Sequence, residues 1–173
     1  AKSHVRLRRL TSDHVLGPAI MLAKEFAEWA FTTALAEHGV RVDTAGREEL
    51  GVDVADLVQH RARLYLAEVD GRPAGVAGLK PITHAIGEIK RPYARPSFRG
   101  HGIGRSLVQR LLDDADALGY RTVRLETSAL MREAQALYRR FGYVEIPPYE
   151  GREFKGVDSV SGIAVFMERR LAA

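Results

Sequence analysis

Apolar and polar positions alternate from residue 4 to residue 10, with Val5 and Leu7 against Arg6 and Arg8, which predicts a first strand. Ile20, Leu22, Phe26 and Trp29 then recur at helical spacing, with Thr11, Ser12 and Asp13 as N-cap candidates. From Glu37 to Gly51 the pattern fades, so a loop is expected there, followed by a second helix near Val54 to Arg61. The rhythm then changes. Leu64–Val69 and Ala74–Leu79 are short apolar runs joined by Asp70-Gly71-Arg72-Pro73, a strong hairpin signal. A third strand of this meander is expected from Gly87 to Ala94. Pro92 removes a ladder donor within it, so a bulge or a splayed strand is expected at that point.

Downstream, Ile103, Leu107, Leu111 and Leu118 share one helical face, with Val108, Leu112 and Ala115 beside it, and Gly119 closes the helix. Arg121–Thr127 alternates as a strand. Ala134, Leu137, Tyr138 and Phe141 form the apolar stripe of a shorter helix that ends at Gly142. Tyr143–Ile146 and Gly162–Arg169 read as the last strands, separated by a long loop from Pro147 to Ser161. The order β-α-α-β-β-β-α-β-α-β-β describes an α+β protein, with helices layered on both faces of one sheet. No repeat, low-complexity tract or linker interrupts it, so one domain over residues 1–173 is expected.

The densest chemical signal lies between Phe98 and Arg105. Gly100, Gly102 and Gly104 alternate there and lead straight into the helix. Such glycines let main-chain N–H groups converge, and the helix adds its own unpaired donors and positive dipole end. This predicts a cradle for a phosphate-rich ligand. A Walker-type loop would need a Lys after its last glycine, and none follows. A dinucleotide fingerprint would need a third glycine where Arg105 stands, and the meander before it is antiparallel in character. A glycine-rich turn without a ligand is the bland alternative.

Charge supports the cradle. The net charge is +4, with 26 basic and 22 acidic residues. Spread along a chain, such an excess is a solvated surface, and nucleic acid is not an expected partner. Yet Lys90, Arg91, Arg95, Arg99, Arg105 and Arg110 face a single acid, Glu88, between residues 88 and 110. Cysteine is absent, which removes disulfides, thiolate metal sites and a Cys nucleophile. The six histidines lack metal-ligand spacing, and no metal is expected. No apolar run approaches a membrane span and no signal-peptide pattern opens the chain, so the expected location is cytoplasmic.

Arg99-x-x-Gly102-x-Gly104 fits an Arg/Gln-x-x-Gly-x-Gly/Ala signature. Gly87–Pro96 and Leu137-Tyr138-Arg139-Arg140-Phe141-Gly142-Tyr143 fit two further motifs in the same order. Through these the chain resembles the GNAT superfamily of N-acetyltransferases. The likeness reaches Asp70–Gly75, similar to that family's second hairpin. The segments Ile146–Tyr149 and Phe166–Glu168 resemble a bacterial subgroup. It implies a mixed, mainly antiparallel sheet that parts between its fourth and fifth strands.

It also implies acetyl-CoA as co-substrate. Main-chain amides of Gly100, His101, Gly102, Ile103, Gly104 and Arg105 would hold the pyrophosphate, with Arg99 facing the same charge. Tyr93 and Ala94 would pair with the pantetheine arm as with an added strand. Tyr138 matches the family's general acid, although its place on an apolar stripe also suits a core tyrosine. Glu88 is the leading candidate for the base, or else a partner for Lys90. Glu126 and a water-relayed group are alternatives. The Ala94 N–H is the expected oxyanion donor, since Pro92 has none. Met131 stands where many members carry Asn, which leaves one cofactor contact unassigned. The expected acceptor is a small-molecule or peptide amine, a homodimer is compatible, and a binding-only acyl-CoA sensor is the alternative function. Trp29 is either core or acceptor wall.

Overall fold

A computed structural model describes residues 4–39, 54–149 and 164–172. Seven strands form one sheet: β1 (Val5–Leu10), β2 (Arg63–Val69), β3 (Arg72–Pro81), β4 (Ile86–Ala94), β5 (Thr122–Ser128), β6 (Val144–Ile146) and β7 (Ala164–Arg170), in the spatial order β1-β2-β3-β4-β5-β7-β6. Every pairing is antiparallel except β4 with β5. Among the described residues it is covered by the helices α1 (Gly17–His38), α2 (Ile103–Ala117) and α3 (Arg132–Arg140), with a further helical turn at 54–56. Among the described residues no helix is long and apolar enough to cross a membrane.

Strand alternation separates two cores. Tyr65, Ala67 and Val69 face α2 through Leu107, Val108 and Leu111, and this cluster continues to Leu125, Tyr138 and Met167. Leu64 and Leu66 point the other way, to Leu22 and Ala23 of α1 and to Val54 and Leu57. The sheet is therefore the middle layer, with α2 on one face and α1 on the other.

Two expectations are corrected. Helix α1 begins at Gly17, and Thr11–Asp13 belong to a turn closed by the His14 N–H on the Thr11 carbonyl at 3.0 Å. Pro18 fits this start, because the first turn of a helix has no use for its missing N–H. The second expected helix is present at 54–56 but stops there, and the chain passes through tight turns to residue 62. Leu57, Val58, Gln59 and Ala62 each donate to the carbonyl three residues back. Arg61, at φ +61°, ends that run, and its guanidinium lies 4.4 Å from the Tyr120 ring centroid.

The feature that positions the site is in β4. Val76 pairs with Tyr93 and Gly78 with Lys90, so Ala77 alone opposes Arg91 and Pro92. Arg91 takes φ +54°, and the expected bulge is present. On the other side β4 pairs with β5 only from Ile86 to Ile89, and the two strands part beyond it. Gly75 sits behind this opening. A Cβ there would lie 2.6 Å from Ile103 Cγ2 and 2.8 Å from the Tyr93 carbonyl oxygen. Its missing side chain lets the start of α2 press against the sheet.

Gly75→Ala is expected to overpack this contact and to cost roughly 1–3 kcal/mol. Urea denaturation would register that as a lower midpoint at unchanged slope. An unchanged midpoint would show that the close approach is no constraint.

Candidate active site

The cradle begins with a single 3₁₀ turn, Pro96–Phe98, which buries Phe98 under the Arg72 guanidinium at 5.0 Å from its ring. Gly100 and Gly102 follow at φ +86° and +70°, conformations that L side chains rarely adopt. Gly102 is the N-cap of α2 and supplies no capping side chain. The first intrahelical bond runs from the Ser106 N–H to the Gly102 carbonyl at 3.0 Å. The N–H groups of Ile103, Gly104 and Arg105 therefore project from the helix end without intrahelical acceptors. No acidic side chain occupies that first turn. Anion-binding geometry results from backbone alone.

These donors open into a cleft of about 680 Å³. Tyr93, Ala94, Arg99, Gly100, Gly102, Ile103, Gly104, Arg105 and Tyr138 all line it. His101 does not line it: its Nδ1 lies 2.9 Å from the Phe98 carbonyl oxygen and its ring meets Phe98 edge-on. Arg132 and Arg140 of α3 add charge to the wall, and neither was singled out by the sequence. Arg99 reaches Glu133 at 3.7 Å, but both side chains are largely exposed, so that pair contributes little. Met131 also lines the cleft and gives its wall an apolar surface there.

The parted edge of β4 forms one wall. The Arg95 N–H donates to the Ala74 carbonyl of β3 at 2.8 Å. Alternation along a strand turns the Ala94 N–H the opposite way, toward the gap. The Tyr93 hydroxyl donates to Glu25 at 3.0 Å, and Arg95 grips the same carboxylate through Nε and Nη2 at 3.1 and 2.9 Å. These contacts span about seventy residues of sequence, and no local pattern announced them.

Tyr138 is buried on α3, with its ring 5.8 Å from that of Tyr143. Burial alone pushes its hydroxyl well above the ordinary phenol value, so it stays protonated. Glu88 lies elsewhere. It is 1% exposed and does not line the cleft. Tyr149 donates to its Oε2 at 2.5 Å, and Lys90 Nζ stands 3.2 Å from its Oε1. The Arg124 guanidinium, itself 3.1 Å from Glu168, lies 5.1 Å from the Tyr149 ring centroid. The structure therefore unites the cradle, the strand edge and Tyr138, and sets Glu88 apart in an ion-paired cluster. Tyr149 was visible only as part of the loop from Pro147 to Ser161, expected to shape the acceptor pocket, and its contact with Glu88 was not anticipated.

All six tyrosines of the chain have raised pKa values. Tyr93 rises to about 12, first through desolvation and then through Glu25. A phenol whose folded pKa exceeds its unfolded value contributes stability that is complete below about pH 10. That contribution is lost as the pH climbs through the folded value. Absorbance at 295 nm should show clearly less than half of the tyrosine ionised in the native protein at pH 10, with the Tyr93 contribution to stability falling between about pH 10 and 12. A half-ionised native spectrum at pH 10 would contradict this.

Comparison with known proteins agrees with this architecture. The sequence model of the acetyltransferase (GNAT) family matches residues 22–143. The chain is 29% identical over 143 residues to the uncharacterized N-acetyltransferase YjgM of Escherichia coli, covering 81% of this chain and 82% of that protein. It is 31% identical over 121 residues to an IAA acetyltransferase of Azospirillum brasilense, covering 69% and 75% respectively. The PaiA N-acetyltransferase of Thermoplasma acidophilum, solved in complex with coenzyme A, superposes with a TM-score of 0.70 at 17% identity. That likeness covers 97% of this chain and 99% of that one, and bears on the fold. A cradle at a helix start, a sheet that parts beside it and a family match across most of the chain agree: the protein belongs to the acetyltransferase (GNAT) family of acetyl-CoA-dependent acyltransferases.

Proposed function

We propose that the protein, working as one catalytic domain, moves an acetyl group from acetyl-CoA directly to a primary amine while both are bound. One observation carries this reading. A single cleft holds a main-chain anion cradle, an unpaired strand edge and a buried, protonated phenol. Gly100 and Gly102 have open space where a Cβ would project, so a phosphate can approach their backbone closely. Arg99, Arg105, Arg132 and Arg140 supply positive charge around that approach. The donor set suits the diphosphate and extended arm of coenzyme A.

Acetyl-CoA supplies the thioester on which the amine acts. The N–H groups of Gly100 to Arg105 hold its phosphates, and the β4 edge at Tyr93 and Ala94 aligns its arm. The Ala94 N–H points into the gap, where it donates to a carbonyl oxygen that gains negative charge. Tyr138 gives a proton to the departing sulfur and stays uncharged until then. Glu88, set back from the cleft between Lys90 and Tyr149, draws the amine proton through an intervening water. Direct transfer is supported by the lining itself. Among the described residues it offers no Ser, Thr, Cys, Lys or His side chain to carry the acetyl group.

Gly102→Asp tests the cradle. Aspartate tolerates the left-handed backbone better than most residues, yet it puts a carboxylate where a phosphate must sit. Calorimetric affinity for coenzyme A should fall by at least about two orders of magnitude, a loss of roughly 3 kcal/mol. Undiminished affinity would remove the cradle from the site. Tyr138→Phe should keep coenzyme A affinity and lower kcat by roughly a hundredfold or more, read as thiol release with an amine panel. If kcat stayed as in the parent protein, another group would be the acid.

A further inference from the structure

The cleft has a second end that the donor does not explain. Phe26 and Trp29 of α1 line it together with Tyr93. Their rings form a continuous row. Phe26 and Trp29 lie 6.3 Å apart at an interplanar angle of 27°, and Phe26 and Tyr93 lie 5.5 Å apart at 42°. Residues three apart on a helix fall on one side of it, which brings Phe26 and Trp29 to the same wall. Phe26 is partly buried between its neighbours, while Trp29, at the end of the row, is 40% exposed. A large aromatic that lines a cleft, stacks on one neighbour and keeps 40% of its surface exposed is a surface for another flat group.

The row is held rigidly. Tyr93 is fixed by its hydroxyl on Glu25, and Glu25 is fixed in turn by the two-pronged contact from Arg95. This network also settles the local charge. The Glu25 carboxylate beside the rings is engaged by three donors, and its charge is matched by Arg95. Topology separates this end from the phosphates. The cradle opens at the start of α2, which packs on one face of the sheet, whereas α1 packs on the other face. Pro92, Tyr93 and Ala94, beyond the last pair of β4 with β5, line the cleft together with both ends.

We infer that Trp29, backed by Phe26 and Tyr93, selects the acceptor, and that the acceptor is a primary amine bearing an aromatic ring. The inference rests on the transferase reading above and adds the class of its second substrate. The acceptor's ring lies against the open side of the Trp29 indole, and its amine extends along β4 toward the donor.

The chain has one tryptophan, so its fluorescence reports this position alone. The test uses 2-phenylethylamine against n-hexylamine and spermidine, with the intact protein and saturating coenzyme A. Phenylethylamine should quench Trp29 saturably and the other two should not. In thiol-release assays Trp29→Ala should lower the preference for phenylethylamine over hexylamine about fivefold to tenfold, as expected for loss of an aromatic pair. The KM for acetyl-CoA should not change. Trp29→Phe keeps a ring and should keep most of the preference, which guards against a general loss of structure. Equal quenching by all three amines overturns the inference, as does a preference unaltered in Trp29→Ala or a raised KM for acetyl-CoA instead. Thiol release by the parent protein across the panel scores the transferase reading separately, because quenching needs no turnover.

Discussion

The structure depends on an interruption in a hydrogen-bonded ladder. β4 runs with β5 for four residue pairs and then leaves it, because Pro92 has no N–H to offer and the Arg91–Pro92 bulge turns the strand. An unpaired strand edge inside a domain is normally a liability, since its polar groups need partners. Here the same edge faces a cleft, and the helix whose donors are also unmet begins a few residues later. Two sets of unsatisfied backbone groups are thus brought to one opening. Gly75 keeps them close by letting Ile103 lie against the sheet.

Much of this was legible in the chain because it is written locally. The Asp70-Gly71 hairpin and the amphipathic stripe of α2 depend on neighbours within a few residues and stand as read, and of the alternating glycines Gly100 and Gly102 take positive φ at the start of α2. Pro92 announced the bulge for the same reason. The start of α1 was misread because three N-cap candidates precede a proline that fixes the helix start later. The second helix was read as reaching Arg61 but stops at residue 56, and the turns after it end at Arg61, whose contacts with Tyr120 and His84 are distant in sequence and whose backbone is left-handed.

The site divided along the same line. Cradle residues and Tyr138 came from motifs and meet in one cleft, whereas Arg132 and Arg140 enter only through the docking of α3. The partners of Glu88 show the limit most clearly. Lys90 is two positions along the same strand and could be anticipated, but Tyr149 arrives from sixty-one residues away. A buried carboxylate flanked by an ammonium and a phenol is costly to disturb, since removing either partner leaves charge without compensation. Its chemistry is therefore set by tertiary packing and not by the strand that carries it.

Under the proposed function the cradle would meet phosphate through main-chain amides, and this divides labour within the site. A peptide N–H has no side chain to exchange and no proton to lose near neutrality, so substitution can shut such a contact but can scarcely grade it. On that reading affinity for an anion would be graded at the rim instead, where Arg99, Arg105 and Arg140 are exposed and the attraction of such charges weakens with ionic strength. Position and strength of binding thus reside in different chemical groups. One is rigid and insensitive to its medium, and the other is adjustable and responsive to salt.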